Sequence, residues 1–171
     1  MSELIEALRS GQTSWVPVVQ SLTAVEWRRR PDHDNWSPAE CAEHLVIVES
    51  RLVKAIKAGV AAGKSEPERA AAIAGKEEMM RKRIPSRNVK VKAPEPMVPS
   101  GRIATPAEFL EEFQSVRAQS IELAASNNPL VDTFVMPHFV LGDFTGTHWL
   151  WFIALHGDRH LNQIREILAS Y

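Results

Sequence analysis

The chain has 171 residues, 44% of them apolar, enough for the core of one domain and too few to favour two. Twenty basic against twenty-one acidic residues, with an isoelectric point near 6.6, set up no global field for a polyanion, which excludes nucleic acid as a first expectation. The single cysteine, Cys41, forms no internal disulfide, the N-terminus lacks the regions of a leader, and the longest strongly apolar stretch, Trp149 to Leu155, is too short for a bilayer; the expectation is a soluble, cytoplasmic protein with no membrane partner.

In chain order, Glu3 to about Leu22 is expected as a first helix with Leu4, Ile5, Leu8, Trp15, Val19 and Leu22 inward, while Gly11 and Pro17 predict a kink or a break. Thr23 and Glu26 have capping-box spacing for a short turn of helix before Pro31, and 32–36 is expected as a loop. Ser37 caps a second long helix with Pro38 at its first position and Glu40 at its third, ending near Gly59 and Gly63. Residues 65–83 make a modest polar helix. Pro85, Pro94, Pro96, Pro99 and Pro106 turn 84–104 into a long irregular crossover. Thr105 and Glu108 start a third helix that buries Phe109, Leu110, Phe113, Val116, Ser120 and Ile121 and stops near Asn127-Asn128-Pro129. Residues 130–144 are apolar and irregular and close one end. Thr145 caps a last helix running to about Ala169. The fold class that follows is all-α: a four-helix bundle, one domain over 1–171, with a long crossover between helices two and three.

His156 and His160 carry the chemistry. Their i,i+4 spacing stacks two imidazoles one turn apart on one helical face, and His44 lies on the inward stripe of helix two with Leu45, Val48, Leu52 and Ile56. Three neutral imidazoles from two helices can hold a divalent transition metal and leave a position open; an ordinary hydrogen-bonded core triad is the other reading. Zinc suits such a site first, then nickel, with iron(II) and copper(II) compatible. Glu40 and Cys41 lie close enough in sequence to His44 to approach the ion, although Glu40 has a capping role and a lone buried cysteine is usually a small hydrophobe. Gln163 falls nearly in line with His156 and either meets substrate or fixes an imidazole tautomer. His138, on the end loop, either serves as a general acid or base or caps and packs. His148 is about 12 Å along the axis from His156, too far to share an ion with both partners, and His33 is a loop residue. The basic residues Arg81, Lys82, Arg83, Arg87, Lys90 and Lys92 mark a solvated crossover more than an anion site. No phosphate loop, no nucleophile elbow and no His-Glu-x-x-His occurs, so a zincin mechanism is disfavoured.

Taken together, Trp36-Ser37-Pro38-Ala39-Glu40 with His44, Leu45 and Glu49, then His138 with Gly142 and Thr145, then His156-Gly157-Asp158-Arg159-His160 with Gln163, resemble the DinB superfamily, including its YfiT-like metal-dependent members. The resemblance covers nearly the whole chain in the right order. It departs after His138, where the family often has proline and this chain has Phe139. It implies His44, His156 and His160 as metal ligands, with Gln163 and His138 as candidate catalytic residues. It also implies a small-molecule substrate, handled by a metal-dependent hydrolase or by a transferase for low-molecular-weight thiols. Since relatives often associate through bundle faces and the chain has five tryptophans to bury, a homodimer is expected. The competing expectation is a non-catalytic bundle whose histidine cluster is structural or sensory, the reading that a fourth protein ligand favours.

Overall fold

The computed structural model describes residues 2–170. Helix α1 (Ser2–Gln20) runs unbroken through Gly11 and Pro17, so the expected break does not occur. Burial of Leu4, Leu8, Trp15 and Val19 against the helices that follow outweighs the one backbone bond that proline removes. Reciprocal caps then open α2 (Ala24–Arg28) at Thr23 and α3 (Pro38–Ala61) at Ser37, where the hydroxyl accepts from the third helical amide and Glu26 or Glu40 accepts from the cap amide.

The expected helix over 65–83 is two pieces, α4 (Pro67–Ala72) and α5 (Glu77–Arg83). The amides of Ile73 and Ala74 bond three residues back, and that tightened turn ends α4. The crossover is irregular apart from a 3-10 turn, Glu95–Met97, and leads to α6 (Pro106–Ala125), again opened by a reciprocal cap at Thr105 and Glu108.

Residues 130–144 are more ordered than expected. After α7 (Pro129–Thr133), strands β1 (Val135–His138) and β2 (Gly142–Thr145) form an antiparallel hairpin that pairs Val135 with Thr145 and His138 with Gly142. Two residues shape its turn. Gly142 takes the left-handed conformation at φ 73°, and His138 Nδ1 accepts from the amides of Val140 (3.0 Å) and Leu141 (3.1 Å), as an Asn or Asp side chain commonly does. Helix α8 (Gly146–Ala169) follows from a capping box in which His148, not a carboxylate, returns the bond: Thr145 N donates to its Nδ1 at 3.2 Å. The described residues are thus mostly helical, with one two-stranded sheet. None of their helices is long and apolar enough to cross a membrane.

The long helices α1, α3, α6 and α8 pack on one another, α1 and α3 each contacting both α6 and α8. Their apolar residues divide into two clusters. One gathers Leu4, Leu8, Leu52, Ile56 and residues 149–155; the other gathers Trp15, Leu45, Phe109, Phe113, Leu161 and Ile164. At or beside the boundary each helix carries a different kind of residue: Gly11 in α1, Glu49 in α3, Arg117 with Ser120 in α6, and His156 with His160 in α8. A polar layer therefore crosses the core.

Half of that layer is a charge cluster. Arg117 is fully buried, bonds both oxygens of Glu49 from Nε (2.8 Å) and Nη2 (2.9 Å), and bonds Leu8 O from Nη1 (2.9 Å). Ser120 Oγ completes the carboxylate at 2.7 Å, and the guanidinium lies over Phe113. Gly11 eases the approach, since a Cβ there would stand a tight 3.1 Å from Nη1.

Candidate metal centre

The other half of the layer is the histidine group. His44 comes from α3 and His156 and His160 from successive turns of α8, with ring centroids 5.2, 4.8 and 4.4 Å apart for the pairs 44–156, 44–160 and 156–160. Each offers one nitrogen, and these three atoms lie within 4.8 Å of one another. Two are closer still: His156 Nε2 and His160 Nε2 are 3.0 Å apart. Nitrogens about 2.0–2.1 Å from a tetrahedral ion stand about 3.3 Å from each other, so small adjustments bring this group to ligand spacing.

The partners of the outer nitrogens decide which lone pairs face inward. His44 Nδ1 lies 2.7 Å from Met97 O, a carbonyl that can only accept, so the hydrogen is on Nδ1 and Nε2 is bare. His160 Nδ1 lies 3.0 Å from Gln163 Oε1 and is fixed in the same sense. His156 Nδ1 is buried and has no partner. Two imidazoles thus present lone pairs to the group, and the third has no outer acceptor to hold its hydrogen.

All three rings are biased toward the neutral form. Burial lowers His44, and burial with neighbouring positive charge lowers His156 and His160 well below the ordinary imidazole value. Neutral imidazoles are the state that binds a metal. The donor set therefore fits a divalent transition ion.

Aromatic rings wall the group. Trp36, from the loop before α3, lies 4.8 Å from the His44 ring and stacks toward His160 at 6.4 Å, while Phe152 stacks on His156 at 4.9 Å. The histidines keep only 5%, 8% and 5% of their surface, for His44, His156 and His160 in turn, so access is narrow. Trp36, Met97 and Phe152 were not singled out as site residues from sequence. An aromatic next to a cap is a weak signal, and a carbonyl on an irregular crossover gives none.

The remaining candidates stand outside the group. Gln163 is behind His160, accepting from its outer nitrogen and from Arg87. His138 ends β1 and packs on Phe152 at 5.2 Å, so a phenyl ring lies between it and His156. Burial lowers the His138 pKa to about 4. Glu40 is held by Arg30 and by its Ser37 cap. Cys41 is buried, its thiol pushed up to about 12 by desolvation, and it is not in the ligand group. His148 bonds Thr145 and faces Glu77 at 3.3 Å, and His33 is exposed beside Asp34.

The crossover is tied down over this site. Glu43 accepts from Ser100 N (2.7 Å), Ser100 Oγ (2.8 Å) and Gly101 N (2.8 Å), and these bonds hold its carboxyl below the usual range although burial opposes them. Arg159 donates to the carbonyls of Ile84, Ser86 and Val89.

The chain is similar to the protein YuaE of Bacillus subtilis (strain 168), described as uncharacterized, at 29% identity over 149 residues, which cover 87% of each chain. No solved structure gives a significant match. A DinB superfamily sequence profile matches residues 7–164, almost the whole chain and all three histidines, and the chain belongs to the DinB superfamily.

Proposed function

We propose that this protein is a metal-dependent enzyme acting on a small molecule through His44, His156 and His160, with α1, α3, α6 and α8 as a four-helix bundle holding them. The observation that carries the reading is the inward lone pairs of His44 and His160, each set by an acceptor behind the ring, beside a third imidazole at 3.0 Å. A divalent cation held there, zinc first and nickel or iron next, supplies Lewis-acid activation of a small nucleophile, water for a hydrolase or a thiol for a transferase. The chain's own part is to keep three neutral nitrogens converged and to shield them with Trp36 and Phe152. Elemental analysis with metal titration tests the site: about one ion per chain is expected, and unchanged stoichiometry in a His44, His156 and His160 triple alanine variant overturns it. Esters and amides on one side, and electrophiles with several thiols on the other, separate the two chemistries.

The narrow access supports a second reading, a non-catalytic bundle in which the ion is structural or sensed. Cobalt(II) substitution separates the two. Absorption bands that shift when azide or a thiol is added indicate an open position and catalysis; bands indifferent to every added ligand support the structural role. We further propose a homodimer, which light scattering at micromolar concentration tests.

A further inference from the structure

Two of the three rings are fixed by acceptors of different kinds. Behind His44 stands the backbone carbonyl of Met97, which cannot turn over. Behind His160 stands a carboxamide, which can present either its oxygen or its NH2 to the ring. Facing NH2, His160 Nδ1 would have to accept, its hydrogen would move to Nε2, and the nitrogen aimed at the group would have no lone pair to give.

Arg87 decides between these states. Its Nη1 donates to Gln163 Oε1 at 3.1 Å and its Nε to Glu166 Oε2 at 3.2 Å, so a crossover residue is tied to α8 at two points one turn apart. A guanidinium has only donors, and the Gln163 atom it faces must be the oxygen. That same oxygen lies 3.0 Å from His160 Nδ1, which must therefore carry the hydrogen. We propose that Arg87 is a positioning residue which, acting through Gln163, fixes His160 in the tautomer whose Nε2 lone pair faces His44 and His156. The consequence for metal affinity rests on the metal-site reading above; the tautomer itself does not.

His156 completes the picture. It has no acceptor behind it, and it meets a bare His160 Nε2 at 3.0 Å. In the metal-free protein it carries its hydrogen on Nε2 and donates to His160. It is the one ring whose hydrogen would have to move to Nδ1 for its Nε2 to hold an ion.

Long-range proton–nitrogen correlation spectra of the metal-free, nitrogen-15-labelled protein read each ring directly. Expected are Nδ1–H at His44 and His160 and Nε2–H at His156, with zinc moving only the His156 hydrogen. Arg87→Met should shift His160 substantially toward Nε2–H and weaken zinc or cobalt(II) binding about tenfold or more. If that variant does not fold, Gln163→Met, which removes the acceptor, should give the same shift. The deciding arm is the double variant Arg87→Met with Gln163→Glu: a carboxylate has no N–H to present, so it should restore the His160 tautomer and the affinity although the arginine is still missing. Nε2–H at His160 in the wild type, an unchanged His160 signature in Arg87→Met, or failure of the double variant to restore it overturns the proposal; the last would mean that Arg87 only docks the crossover. A wild type that binds no metal would defeat the functional reading and leave the tautomer arms to decide this one.

Discussion

The polar layer contains two assemblies that answer burial in opposite ways. In the Glu49–Arg117–Ser120 cluster every side-chain nitrogen and oxygen has a partner: both carboxylate oxygens, all three guanidinium nitrogens and the hydroxyl. In the histidine group the outer faces of two rings are bonded, while the inner nitrogens crowd together and the third ring has an orphaned Nδ1. Burying a polar group without a partner costs about 1–3 kcal/mol, so the histidine group is the less completely satisfied half of the layer, and its converged inner nitrogens are what the proposed ion would use.

The sharpest way to break this comparison is to remove the arginine. Arg117→Met leaves the Glu49 carboxylate buried and unpaired and should cost about 3–5 kcal/mol in urea unfolding, with metal stoichiometry unchanged. Adding Glu49→Leu should recover much of that loss, because an apolar pair of similar volume replaces the ion pair. A single-variant cost below about 1 kcal/mol would mean that the cluster is not the structural half of the layer.

The histidine group should behave in the opposite manner. With zinc free at a hundred times its dissociation constant, linkage predicts about 2.7 kcal/mol of added stability for the wild type. In His156→Ala that increment should vanish. The metal-free variant should lose stability separately through the cavity left beside Phe152 and the missing bond to His160, so the metal-dependent increment, not the absolute stability, is the readout. Denaturation with and without a chelator gives all four values, and a metal-induced increment that survives the substitution would break the assignment.

Acid sharpens the comparison further. His138 is lowered by burial to about 4 from an ordinary value of 6.5, so between those pH values the unfolded chain binds more protons than the folded one. Its contribution to stability is complete above about pH 6.5 and is lost as the pH falls toward 4, by up to about 1.4 kcal/mol per pH unit. The three buried histidines of the site act in the same direction. The urea midpoint without metal should fall from pH 7 to pH 5, and His138→Gln, which keeps an acceptor for the turn amides, should flatten part of that slope. A midpoint independent of pH over this range would show that these rings are not held neutral.

The smallest effect concerns the crossover. Glu43→Gln replaces one acceptor for the Ser100 and Gly101 amides by an NH2 and should cost roughly 1 kcal/mol, with faster amide hydrogen exchange over 98–103. Unchanged exchange there would mean that the crossover is held mainly elsewhere.

The helices were legible because their signals are local. Ser37 with Glu40 and Thr105 with Glu108 are three residues apart, and the same is true of the His156 and His160 pair at four, so spacing alone places them. Three groups resisted for physical reasons. The hairpin hides in an apolar run interrupted by Pro137, and its turn is held by a histidine ring in place of the usual Asn or Asp. The polar layer and the contacts behind it are built from pairs far apart in sequence, Glu49 with Arg117 in the layer and Arg87 with Gln163 behind His160, which no periodicity announces. Gln163 could be placed on the correct helix, yet which way its carboxamide turns depends on Arg87, a residue that composition assigned to a solvated run.

Arg159 holds the crossover by main-chain oxygens alone, those of Ile84, Ser86 and Val89. Every amino acid supplies such an oxygen. The grip is therefore indifferent to the side chains of Ser86 and Val89, whereas Ile84 is fixed separately by its place in the apolar core. A single guanidinium beside His160 thus fixes the course of the crossover there without dictating the side chains of Ser86 and Val89.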